Sequence, residues 1–153
     1  MICIAQNQEQ HDAMCAFMKH YAHVGRTEDM RVMGWFDQET NELKCVIAMN
    51  GFMGNTCQVH IAMADNFHFA PRVFISAAAD LLFNHLKRER IIGFVNSHNK
   101  KAMRFDLHMG YEEILRLPKA HDDGGDIVIF SMTREQCKYL PKAEVAHENK
   151  YAS

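Results

Sequence analysis

The stretch Ile91–Tyr111, IIGFVNSHNKKAMRFDLHMGY, decides how this chain is read. Ile91 to Val95 is a short apolar strand that runs into a polar corner at Asn96 to Asn99. A helix of about three turns follows and stops at Gly110, because a residue without a Cβ takes the left-handed conformation that ends helices. Asn99 is placed to cap that helix from in front of Lys100. Strand, polar corner, helix and Gly-aromatic stop, in this order, form the segment that bears on function.

Working outward, the same alternation of periods continues on both sides. Upstream, Met1 to Ala5 reads as an opening strand, and Met14, Phe17, Met18, Tyr21 and Ala22 line one face of a helix from about Gln8 to His23, with Gly25 as its stop. Val32 to Phe36 and Leu43 to Met49 make a hairpin around the polar turn 37–42. Cys57 to Ala64 follows a turn over Gly51 to Asn55 and completes an antiparallel meander. Trp35 reads as core or as a strand-face anchor. Pro71 suits the first turn of a long amphipathic helix in which Phe74, Ala77, Ala78, Leu81, Leu82 and His85 share one face to about Lys87. His85 at the edge of that face reads as structural. Downstream, Glu112 to Leu117 and Ile127 to Met132 flank the turn HDDGGD (residues 121–126) and close the chain with a hairpin.

The order is therefore β-α-β-β-β-α-β-α-β-β, an α/β (α+β) chain with a mixed central sheet of about seven strands. Strands four and five, joined by a helical crossover, are expected to lie parallel at its centre. The 153 residues, 48% hydrophobic and 24% charged, suit a single soluble domain over residues 1–140, with a polar, loosely ordered tail over 141–153.

Composition also excludes function classes. A formal net charge of -2 gives no electrostatic case for a nucleic-acid binder. The basic clusters Lys87, Arg88, Arg90 and Lys100, Lys101, Arg104 read as solvated helix faces, with attraction for a phosphate-bearing ligand as the sharper alternative. No run reaches the ~20 apolar residues of a membrane helix and no secretion signal opens the chain, so a cytoplasmic protein is expected. Five cysteines without a C-x-x-C pair read as reduced core thiols. The ten histidines lack metal-ligand spacing: His20 and His23 stand at i, i+3 with no partner motif. The 11 methionines read as fillers of irregular core gaps.

Two parallel strands that diverge leave backbone groups free, and an extended ligand can insert its own amides there. The helix after strand four would aim its free N–H groups at that cleft. With Ala70 at the cap position no side chain occupies those donors, so either water or an anion such as pyrophosphate can take them, and Arg72 adds positive charge.

The element order, the long helix after strand four, and above all Asn99-x-x-Ala102 followed by Gly110-Tyr111 resemble the GNAT superfamily of acyl-CoA N-acyltransferases. The resemblance runs from about residue 1 to residue 140 and includes the closing segment from Tyr111 through the Asp-Gly-Gly-Asp turn to Ser131-Met132-Thr133-Arg134. Among the branches of that superfamily the chain is similar to small divergent members encoded by tailed phages. The resemblance implies acetyl-CoA as co-substrate in the splay between strands four and five, its pyrophosphate at the start of the helix carrying Ala70, Arg72 and Val73, and Asn99 on the pantetheine or adenylate side. It implies an amine acceptor attacking the thioester, with His60 or Asp65 as general base; a His suits that role near neutrality better than an ordinary Asp. A homodimer, or a place in a larger complex, stays open.

Two positions depart from the superfamily. Its phosphate loop is glycine-rich, whereas His68-Phe69-Ala70-Pro71-Arg72 has no glycine and loses a donor at Pro71. Asp106 stands four residues past Ala102, where a proton-donating tyrosine is usual, and an ionised Asp there would repel a thiolate unless its pKa is raised. Tyr111 and His108 are the nearest substitutes. The rival expectation is a catalytically silent relative that serves as a structural or interaction protein, for example in a phage particle.

Overall fold

The computed structural model describes residues 1–141, so the polar tail expected from residue 141 lies, apart from Pro141, outside the described residues. The elements are β1 (Ile2–Ile4), α1 (Gln8–Ala22), β2 (Arg31–Phe36), β3 (Leu43–Met53), β4 (Thr56–Met63), α2 (Arg72–Ala79), β5 (Arg90–Asn96), α3 (Lys100–Met109), β6 (Glu112–Leu117) and β7 (Ile127–Thr133). The strands form one mixed sheet of order β1-β2-β3-β4-β5-β7-β6. Every neighbouring pair is antiparallel except β4 with β5, which run parallel as the helical crossover requires.

Residue alternation along β3 builds a core on each side of the sheet. Cys45, Ile47 and Met49 face α2 with Cys57, Phe74, Phe83 and Ile91, whereas Val46 and Ala48 face α1 with Met14, Met18 and Ala62. Met14, Met18, Met33 and Met49 are all but fully buried, each contributing about 1.5–3 kcal/mol. Trp35 is a partly buried anchor, its ring 6.1 Å from that of Phe74. All five cysteines are free thiols, and burial pushes Cys45 up to about 12 and Cys57 up to about 11, which leaves both inert near neutrality.

Local expectations failed where two signals competed. Asn7 Oδ1 accepts from the Gln10 N–H to open α1, but His23, not Gly25, closes it: His23 takes the left-handed conformation at φ 57° and donates to the Lys19 carbonyl. β3 runs on to Met53 rather than ending at Met49, because the left-handed Gly51 is absorbed as a register shift between Asn50 and Met53.

The expected long helix is α-helical only through Ala79 and then becomes π-helical over Asp80–His85, with the Leu86 N–H bonded back to the Leu81 carbonyl. Its buried side chains are Phe74, Ile75, Ala78, Ala79, Leu82 and Phe83. The added residue per turn rotates His85 out to solvent, where it meets Asp80 at 3.1 Å instead of packing as expected. The basic cluster just beyond is structural: Arg88 donates to the carbonyls of Gly54, Thr56 and Leu86, and Arg90 to Ser131 Oγ.

Candidate active site

β4 and β5 pair only over Thr56↔Arg90, Cys57↔Ile91 and Gln58↔Ile92. Beyond Gln58 and Ile92 the two strands part, while β4 stays paired to β3 and β5 to β7 on their outer edges. Backbone N–H and C=O groups from Val59 and Gly93 onward are therefore left facing a gap. Unpaired strand edges inside a sheet are costly unless something completes them.

On the α2 side of this gap lies a cavity of about 80 Å³. Val59 and Ile61 of β4, Gly93 of β5, and Ala78 and Phe83 of the helix lie along it, and Asp106 and Tyr111 bring polar groups to it. Gly93 lets α3 come close: Asp106 Oδ2 lies 3.5 Å from the place a Cβ on Gly93 would take. Among the described residues the Asp106 carboxyl has no hydrogen-bond partner, and burial pushes its pKa up to about 7. The objection raised by an aspartate at this position thus loses its force, since about half of the groups carry a proton near neutrality. Tyr111 lines the same cavity, and burial first, then the Asp106 carboxylate, pushes its phenol above the usual range, so it remains protonated.

His60 occupies the opposite face. It pairs with Ala48 across the β3–β4 ladder and its Nε2 lies 2.8 Å from Asn50 Oδ1. Burial holds its pKa below 6.5, so the ring is neutral near pH 7. Asn50 Nδ2 donates in turn to Thr27 Oγ1, which fixes the amide oxygen toward the imidazole. Asp65, the other base named from the sequence, sits apart from His60 on an exposed turn closed by the Phe67 N–H bonding to Ala64 O.

The helix start expected to bind an anion is displaced by one residue. Pro71, not Ala70, is the cap of α2, with φ -60° and ψ 140° and no side-chain hydrogen bond; Ala70 packs against the core instead. The first two helical N–H groups, of Arg72 and Val73, make no hydrogen bond among the described residues, and the first turn carries no acid. Val73 is 59% and Phe69 85% exposed, so this end of the helix is open. The Arg72 guanidinium stands 5.3 Å from the centre of the Tyr139 ring, and Lys138 Nζ stands 5.5 Å from the same ring. Arg72 and Lys138 thus bring two positive charges beside α2.

Asn99 caps α3 through Oδ1, which accepts from the Ala102 N–H at 3.1 Å, and leaves its amide nitrogen free among the described residues. The corner before it is pinned to the closing hairpin. Asn96 Nδ2 donates to Asp123 Oδ2 at 2.7 Å, His98 and His121 approach the same carboxylate, and the Gly125 N–H donates to it. Those bonds hold the Asp123 pKa down at about 2. A Cβ on Gly125 would collide with Asn96 Oδ1, so any larger residue there would displace the hydrogen-bonded Asn96 side chain.

Sequence reading had not found Cys137 and Tyr139, which close the cavity at its C-terminal end. No motif marks them, and only the turn after β7 carries them under α3. Acetyl-CoA fits what is present: the parted strands, the two free donors at α2 and the amide of Asn99. The loop without glycine fits as well, since its bulky side chain, Phe69, points to solvent.

No family model matches the chain, and no curated protein matches it in sequence. Solved structures do match. A chimera of the spermidine N-acetyltransferase SpeG from Vibrio cholerae and hSSAT superposes with a TM-score of 0.73 at 15% identity, over 92% of this chain and 99% of that one. SpeG in complex with CoA and spermine gives 0.69 at 14% identity, over 92% and 98%. A protein assigned as a phosphinothricin N-acetyltransferase gives 0.65 at 16% identity, over 87% and 97%. At such identities the likeness is one of architecture, and the chain has the mixed α+β fold of the GNAT N-acetyltransferases.

Proposed function

We propose that the chain is a CoA-dependent N-acyltransferase of the GNAT type, with acetyl-CoA as the simplest donor and an amine as acceptor. The observation that carries this reading is the parting of β4 and β5 with a neutral imidazole on one face and a half-protonated carboxyl on the other. The SpeG neighbour solved with CoA and spermine lends the same fold to this chemistry.

Acetyl-CoA supplies an activated thioester when bound. The N–H groups of Arg72 and Val73, with the Arg72 charge, would face its pyrophosphate, and Asn99 its pantetheine arm. His60 then takes the proton from the attacking amine, and Asn50 keeps the ring oriented. An unpaired N–H on the inner edge of β4 meets the negative charge that develops on the carbonyl oxygen. Asp106 gives its proton to the leaving sulfur, with Tyr111 as the second donor in the same cavity. Asp65, on its exposed turn, stands apart from this pair. The test is thiol release from acetyl-CoA against a panel of amines, with spermidine among them: the reading requires amine-dependent release that His60→Gln reduces, and release with no amine dependence would contradict it.

Among the described residues no helix is long and apolar enough to cross a membrane, and the proposal places the protein in the cytoplasm with its co-substrate. A second reading, a silent interaction protein or a phage-particle component, is favoured by one observation. α1 covers β2, β3 and β4 but not the same face of β5, β7 and β6, where Phe94, Leu115 and Leu117 are exposed. That reading predicts a homodimer or larger complex lost in Leu115→Asp, together with no affinity for CoA.

A further inference from the structure

We propose that the cavity beneath the parted strands binds the acyl chain of a donor longer than acetyl-CoA, a straight acyl group of about three to four carbons. This rests on the acyltransferase reading and names its donor class.

Position, chemistry and size carry the inference. Val59 and Gly93, the first residues past the last β4–β5 pair, both line the cavity, so its mouth coincides with the place where the strands part. A thioester carbonyl held at the inner edge of β4 would have its acyl tail pointing past Gly93 toward α2. Most of the walls are apolar: Ile61, Ala78, Phe83, Ile91 and Met132 lie along them, whereas the polar groups come from Asp106 of α3, Tyr111 after it, and Cys137 and Tyr139 of the C-terminal turn. Such a lining, without a cation, offers little to a phosphate, and its apolar part suits methylene groups.

The volume exceeds what acetyl requires. About 80 Å³ is roughly half of an apolar cavity of about 150 Å³ that takes benzene, which leaves room for about three carbons, whereas an acetyl group brings a single methyl beyond its carbonyl. Small residues keep the space open. Ala78 and Ala79 are buried on the cavity side of α2, and Gly93 faces them from β5 without a side chain. The transfer itself balances as for acetyl: one C–N bond forms as one C–S bond breaks, the amine proton passes to His60 and the Asp106 proton to the departing sulfur.

The test is a titration of CoA, acetyl-CoA, propionyl-CoA and butyryl-CoA into the full chain, paired with turnover on a common amine. Butyryl-CoA is expected to bind at least about four-fold tighter than acetyl-CoA, against a limit of roughly four-fold per methylene for complete burial. Ala78→Leu fills the cavity and should erase this preference while CoA itself binds as before; Ala79→Val serves if Ala78→Leu fails to fold. Equal affinity for acetyl- and butyryl-CoA, or a preference that survives a folded filling variant, overturns the inference and leaves the acyltransferase reading standing. Failure of every species to bind, CoA included, overturns both.

Discussion

His60 and Asp106 stand on opposite faces of the sheet, one on each side of the gap where β4 and β5 part. Burial moves their pKa values past each other, His60 down from 6.5 and Asp106 up from 3.8 to about 7. A base that is neutral and an acid that is protonated therefore coexist in a narrow window just below neutrality. Turnover should rise as His60 loses its proton and fall again as Asp106 loses its own near pH 7. Asp106→Asn should lower kcat by about 10²- to 10⁴-fold with cofactor affinity retained, and His60→Gln should remove the acid limb of the profile. Unchanged rates in Asp106→Asn would take the carboxyl out of the mechanism.

The same carboxyl makes stability depend on pH. A group whose folded pKa is raised holds more protons folded than unfolded, so its contribution is complete below 3.8 and is lost as pH rises through about 7. The wild-type stability should fall between pH 5 and pH 8 relative to Asp106→Asn, by on the order of 2 kcal/mol, since the carboxyl keeps some contact with solvent; Tm measured across this range reads the loss. Parallel pH profiles for the two proteins would show that the group is not desolvated.

Asn99 has two separable roles. Its Oδ1 caps α3, so Asn99→Ala should cost about 1 kcal/mol of stability whether or not a cofactor binds. Asn99→Asp preserves the cap but removes the amide donor and adds a negative charge. If Asn99 faces the pantetheine arm, Asn99→Asp keeps the Tm and loses CoA affinity; unchanged affinity confines Asn99 to capping.

Gly125→Ala should be more damaging than its exposed hairpin turn suggests. The new methyl collides with Asn96 Oδ1, which lies 2.2 Å from the Cβ site, and breaks the Asn96–Asp123 bond that pins the corner ahead of Asn99. A loss of about 1–3 kcal/mol is expected in denaturant titration. A neutral result would mean that the corner does not depend on the closing turn.

The parts legible in the sequence were those set by a few adjacent residues. Ile91–Tyr111 folds as read, with Asn99 capping α3 and Gly110 at φ 105° ending it, because caps and left-handed stops act within one turn. The parallel pairing of β4 and β5 was legible too, since it follows from the crossover. The π-helical end of the second long helix was not, as its apolar spacing to Leu82 also suits an α-helix. The site was only half legible. Asp106 could be named as the problem from its position, but its raised pKa comes from burial beside Gly93, and the cavity is assembled from segments as distant as Ile47 and Tyr139. No local pattern records such a convergence.

Calorimetric titration of acetyl-CoA and CoA into the purified protein tests the central claim most directly. The account predicts a Kd on the order of micromolar for both ligands, weakened by Arg72→Glu at the start of α2. Absence of heat at about millimolar ligand would contradict it, and the parted strands would then have to serve something other than CoA.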